Sequence, residues 1–217
     1  MIEQTAEQER AHWDAVAMKP LDELRAEIWN EPHIENAWEA RLSACLDEVL
    51  PAVAPRLRAG ATMLDLGCGA GRLTLPIAQG YGSVVHLIGV DISDAMLGRA
   101  RHEATQRKLR NAQFLVCDGR TLPVLPALDA AYSMIMFQHI PKQCSLSYIV
   151  QVARILRRGG RFRFQFVEGD DEGFLSHGLG MEWVKVACES SGLDIVACDR
   201  GRVYPQWTWI TAEKRGA

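Results

Sequence analysis

The chain has 217 residues, of which 48% are hydrophobic, with a formal net charge of −3 and six cysteines. That length supports one full core, so a single domain spanning 1–217 is expected, and two comfortable domains are excluded. Residues 1–50 carry 12 acids against 4 bases, net −8, which leaves +5 on the remainder, and an acidic leading segment argues against a nucleic-acid partner.

Residues 3–17 are rich in helix formers, with Trp13 and Val16 at helical spacing, and Pro20 breaks the segment. A second helix is predicted from Leu21 to about Asn30, and a third from Ile34 to Leu50, closed by Pro51 and Pro55. Together, residues 1–50 read as a helical cap whose Trp13, Trp29 and Trp38 either line a pocket or anchor the helices. An apolar strand, Ala61 to Leu66, then runs into Gly67, Gly69 and Gly71, with a helix over Arg72 to Gln79. A second strand lies within Tyr81 to Ile92, followed by a helix from Ser93 to Arg110. Its Arg99, Arg101, Arg107, Lys108 and Arg110 read as a solvated face rather than a binding patch. Further strands are predicted at Gln113–Cys117, Ala130–Met136 and Arg161–Phe166. In the last of these, Phe162, Phe164 and Phe166 alternate with Arg161, Arg163 and Gln165, which suggests one partly wet face. Cys144 to Arg158 is helical in period with Gly159-Gly160 as its stop. Glu168 to Gly180 reads as a loop, Met181 to Ser190 as a helix, and Leu193–Asp199 and Trp207–Ala212 as a closing antiparallel strand pair.

No apolar run is long enough to span a membrane, and the N-terminus lacks the apolar segment of a signal peptide. The six cysteines form neither a CxxC pair nor a Cys/His cluster, so they read as reduced, buried side chains of a cytoplasmic protein, without a metal site.

The glycine loop decides the chemistry. Glycine permits positive φ and lets a ligand lie against bare backbone, while the following helix offers free N–H donors. A dinucleotide fingerprint starting at Gly67 needs a glycine where Arg72 stands, and no lysine is near for a phosphate-binding P-loop. Asp65 would repel a pyrophosphate and attract a cation.

The stretch DLGCGAG, residues 65–71, resembles motif I of the class I S-adenosylmethionine (SAM) dependent methyltransferases, an acid followed by GxGxG. LIGVDIS, FLVCDG and LDAAYSMIMFQHIP resemble the later motifs in the family's order, and ILRRGGRFRFQF the helix, turn and strand beyond them. The resemblance covers roughly residues 60–214. It implies an α/β, Rossmann-like, seven-stranded and mostly parallel sheet with helices on both faces, an antiparallel last strand and the N-terminal cap.

The resemblance also implies SAM as cofactor. Gly67, Gly69 and Gly71 would pass beneath it, Asp65 would hold its amino group, Asp91 its ribose hydroxyls, and Asp118 its adenine amine, with Gly119 and Ser133 also against the cofactor. Ile92 and Met96 either sandwich the adenine or belong to the core. His139 stands where some small-molecule O-methyltransferases carry a base, and the unperturbed pKa of about 6.5 of a histidine side chain in general suits that task. It could equally be a structural residue bonded to backbone. Trp13, Gln138 and Glu168 are the candidate substrate contacts. The expected activity is methyl transfer to oxygen or nitrogen of a small molecule. A non-catalytic SAM-binding subunit and a nucleotide-cofactor oxidoreductase are the alternatives, and the oligomeric state is not legible.

Overall fold

In a computed structural model, which describes residues 2–29, 38–169, 172–173 and 176–216, each apolar run predicted to be a strand contains one. Three helices come first: α1 (Ile2–Ala17), α2 (Leu21–Trp29) and α3 (Trp38–Val53). The side chain of Trp29, and the start of the third predicted helix before Trp38, lie outside what is described. Alternation follows, with β1 (Ala61–Leu66), α4 (Thr74–Tyr81), β2 (Val85–Asp91), α5 (Asp94–Gln106), β3 (Ala112–Val116), β4 (Leu128–Ser133) and α6 (Lys142–Ile155). The chain then forms β5 (Leu156–Val167), the two-residue strands β6 (Glu172–Gly173) and β7 (Ser176–His177), α7 (Met181–Ser190), β8 (Leu193–Arg200) and β9 (Trp207–Lys214).

The main sheet has seven strands in the order β3-β2-β1-β4-β5-β9-β8, with β9 antiparallel to both its neighbours. The chain therefore turns outward in opposite directions from β1 and β4. A switch of this kind opens a crevice at the carboxyl ends of the central strands, where α/β sheets hold ligands. Val49 of α3 and Ile77 of α4 cover one sheet face, in one cluster with Trp209 of β9. Tyr148 and Ile149 of α6 and Val184 of α7 cover the other, packed on Phe162 and Phe164.

Two sequence expectations change. The predicted partly wet face of the fifth strand stays half-exposed only at Arg161: Arg163 is 6% exposed, with its guanidinium bonded to Asp199, Thr211 and the Glu48 carbonyl, and Gln165 is fully buried. The sixth helix ends at Ile155 and not at the glycine pair. Leu156 pairs with Leu128 in the sheet, and Arg157 reaches Asp129 at 2.6 Å, so sheet pairing takes the last predicted turn. The predicted 168–180 loop also contains the small β6–β7 hairpin.

The cap is fastened to α5. Ser93, the N-cap of α5, accepts from Met96 N and donates its hydroxyl to Asp14 of α1 at 2.5 Å. Arg99 bonds the Ala17 carbonyl at 2.5 Å and the Lys19 carbonyl, closing the C-terminal end of α1. That arginine is thus a tie between elements, as is Arg101, which pairs with Asp94 and also donates to the Phe114 carbonyl of β3, whereas Arg107 pairs with Glu103 one turn earlier. Trp38 stacks beneath Arg25, 4.4 Å from the ring centre, and belongs to the core packing rather than to the crevice wall.

Candidate active site

A cavity with an empty volume of about 860 Å³, its mouth included, lies at the carboxyl ends of β1, β2, β3 and β4. Its floor is the glycine loop. Gly67 has φ +78°, and a Cβ there would come within 2.7 Å of the Met136 side chain, so only glycine lets the two loops meet. Asp91, at the end of β2, fixes this floor: one carboxylate oxygen accepts Gly69 N at 2.7 Å and the other Ser93 N at 2.9 Å. Burial raises the Asp91 carboxyl above the ordinary range, opposed by the N–H groups of Ser93 and Gly69.

The roof is the inward face of α1, built at helical spacing from Ala6, Glu9, Trp13 and Val16. A Cβ on Gly119 would stand 3.1 Å from that of Ala6, so helix and loop touch. Trp13 stands edge-on to His139, with ring centres 5.5 Å apart at 74°. Val16 packs on Met96. The side wall is the segment after β4, Met134 to Ile140. There Ile135 takes φ +60°, a conformation that β-branched residues seldom adopt. Gln165 on β5 holds the strained turn by accepting Ile135 N at 2.9 Å, and donates to Gln138 Oε1 at 2.9 Å; the Gln138 amide nitrogen in turn lies 3.4 Å from His139 Nε2.

Gly67, Gly69, Asp91, Ile92, Met96, Gly119, Trp13 and His139 all lie on the cavity wall. Six other sequence candidates do not. Asp65 is 3% exposed beneath the floor, with Thr74 and Tyr132 donating their hydroxyls to one of its oxygens at 2.5 and 2.8 Å. Burial lifts its carboxyl to about 6 despite those two bonds. Gly71 faces Leu75 and Ala100 behind the loop. Asp118 points away into an exposed turn and accepts Arg120 N, Thr121 N and the Thr121 hydroxyl. These bonds hold its carboxyl below the usual range against the upward pull of burial. Ser133 is fully buried and ties β4 to β1 through the Leu66 carbonyl. Gln138 supports His139 from behind, and Glu168 is engaged by Thr208 and Arg200 beyond the end of β5.

Sequence reasoning missed Glu9, Cys117, Ile140 and Tyr148 on the wall. The signal for Glu9 was its position one turn before Trp13 on the same helical face. The others could be found only through the tertiary fold. Among the described residues no three His, Cys, Asp or Glu side chains cluster as a metal site, and no helix is long and apolar enough to cross a membrane.

The sheet order, the glycine floor and the acid at the end of the second strand define the fold of the class I SAM-dependent methyltransferases. A family model described as methyltransferase domain matches residues 63–160, the stretch from β1 through α6 into the start of β5. Aklanonic acid methyltransferase DauC of Streptomyces sp. (strain C5) is 37% identical over 105 residues, 48% of this chain and 47% of that protein. The ubiquinone/menaquinone biosynthesis C-methyltransferase UbiE of Rhizobium leguminosarum bv. trifolii (strain WSM2304) is 31% identical over 118 residues, 53% of this chain and 45% of that one. The chain spans about half the length of the curated relatives it matches. Among solved structures, magnesium protoporphyrin IX methyltransferase of Synechocystis PCC 6803 with bound SAM superposes with a TM-score of 0.75 at 18% identity, covering 97% of each chain.

Proposed function

We propose that the chain transfers the methyl group of SAM to a hydroxyl of a small, largely apolar molecule, with His139 as the proton acceptor. The observation that carries this reading is the place of His139, a basic side chain set edge-on to Trp13 in a wall otherwise dominated by Ile28, Met134, Met136 and Ile140. The cavity's own residues fit the cofactor. Gly67 and Gly69 offer bare backbone, Asp91 an anion for ribose hydroxyls, and Ile92 and Met96 apolar surfaces for a flat ring.

When bound, SAM supplies a methyl group on a positively charged sulfur, activated for in-line displacement. The chain's part is orientation and dryness: Trp13 and the methionine wall exclude water and hold the acceptor, and His139 removes the hydroxyl proton as the oxygen attacks. Gln165 and Gln138 keep His139 at the cavity edge. The test is incubation with SAM and a panel of phenolic and polyketide-like alcohols, read as S-adenosylhomocysteine formed. Failure of wild type to bind S-adenosylhomocysteine in a calorimeter overturns the reading. Methylation of carbon is a second reading, favoured by the similarity to a protein named as a C-methyltransferase. The carbon-13 shift of an isotopically labelled methyl group in the product separates the two.

A further inference from the structure

Among the described residues, Glu9 is the one acid that α1 contributes to the cavity wall. It is 4% exposed, and its Oε1 is buried with no hydrogen-bond partner among the described residues. An unpartnered buried carboxyl is costly unless a ligand satisfies it. Its position names the ligand's end: one turn earlier on the same helix Ala6 lies against Gly119, and Cys144, at the start of α6, lies within electrostatic reach of Glu9. This is the side of the cavity formed by the end of β3 and the first turn of α6. By the family resemblance it is the adenine side, yet Asp118, the acid expected there, is off the cavity wall and turned into its own exposed turn, where it accepts Arg120 N, Thr121 N and the Thr121 hydroxyl.

We propose that Glu9 reads the adenine of bound SAM in place of Asp118, donating a hydrogen bond to the ring nitrogen N1 and accepting one from the adjacent 6-amino group. The proposal rests on the SAM-binding reading above. The chemistry matches edge for edge. A protonated carboxyl presents an O–H donor beside a carbonyl acceptor, and the adenine edge presents the complementary acceptor and donor. Burial raises the Glu9 carboxyl to about 7, which makes the protonated form available near neutrality. Among the described residues, the other ionisable groups on the cavity wall are Cys68, Arg72, Asp91, Cys117, His139 and Tyr148, and Cys144 just behind is also within reach of Asp118 and Arg120. Burial is the cause of the Glu9 shift.

The experiment is calorimetry on the full chain with two ligands, S-adenosylhomocysteine and its counterpart lacking the 6-amino group, for wild type, Glu9→Leu and Glu9→Gln. A paired contact to a base edge is worth about 5- to 150-fold in affinity. Glu9→Leu should lose that factor for S-adenosylhomocysteine and a smaller one for the amine-free ligand, which keeps N1 but offers the Glu9 carbonyl no donor. Glu9→Gln, whose amide offers the same donor and acceptor, should stay within about threefold of wild type. Wild-type affinity should fall as pH rises through 7, where the ionised carboxylate faces the N1 lone pair, and Glu9→Gln should be flat there. Equal losses on both ligands would mean that Glu9 only positions α1, and unchanged binding in Glu9→Leu would remove it from the site; either overturns the proposal. So does normal binding in both variants with lost turnover, which would make Glu9 a proton acceptor. If wild type binds neither ligand, the SAM reading itself has failed.

Discussion

Replacing Asp65 by alanine separates a structural acid from a ligand-binding one, because the fold gives it a calculable pH signature. The substitution strands two buried hydroxyls, those of Thr74 and Tyr132, which donate to Asp65 at 2.5 and 2.8 Å. A buried donor left without its acceptor costs about 1–3 kcal/mol, so the loss is about 2–6 kcal/mol. Against it stands relief of a buried charge. The Asp65 carboxyl moves from 3.8 to about 6 on folding, so carrying it ionised costs the native protein about 3 kcal/mol at high pH. The folded state binds the proton more tightly than the unfolded state, so this group makes wild-type stability fall as pH rises from about 4 through 6. Alanine does not titrate. The stability gap between wild type and Asp65→Ala should therefore be wider at pH 4.5 than at pH 8 by about 2 kcal/mol. Urea unfolding followed by tryptophan fluorescence at the two pH values measures the gap. S-adenosylhomocysteine affinity at a temperature where both proteins are folded should change little. A gap that widens toward pH 8 would mean that the fold stabilises the Asp65 anion, and a large drop in affinity would return this residue to the ligand.

Asp91→Ala removes the acceptor of Gly69 N and Ser93 N as well as the expected ribose partner, and should weaken SAM binding by about tenfold or more at about 1.5–3 kcal/mol per charge-assisted bond; calorimetry reads this directly. His139→Ala should lose about 10²–10⁴ in kcat while S-adenosylhomocysteine still binds, and near-normal turnover across the pH range would make His139 structural. Gly67→Ala should abolish cofactor binding and lower the melting temperature, since a Cβ there meets Met136 at 2.7 Å on a backbone at φ +78°. The α1 amides should exchange hydrogen faster than the β1 and β4 amides in the free protein and slow when S-adenosylhomocysteine binds under the helix; equal protection with and without ligand would mark α1 as a fixed part of the fold.

The strands were legible because each is a short apolar run bounded by glycine, proline or charge, and the glycine floor with Asp91 because its chemistry depends on local spacing. What failed was partner choice. Asp65 reads as a ligand acid until Tyr132, its neighbour across the β1–β4 pairing, is seen to take it. Asp118 closes a turn with residues only two and three positions on, so Thr121 offered a hint, but Ser133 and Glu168 are claimed by residues far away in sequence. The overlong sixth helix has the same origin. Helical period continued past Ile155, and only the pairing of Leu156 with Leu128 shows that the sheet wins there. Glu9 shares a helical face with Trp13, but the excess of acids in residues 1–50 drew attention to the segment's charge and away from that face.

β9 follows both β5 and β8 in the chain, yet lies between them in the sheet. During synthesis, β5 therefore waits with an open edge beside its buried Phe162, Phe164 and Phe166, and β8 has no partner in the sheet until residues 207–214 have left the ribosome. Open edges of this kind recruit other chains and chaperones. Every described residue on the cavity wall, by contrast, precedes β5. The part of the chain that would grip the cofactor is made first, and the edge most open to aggregation is closed last.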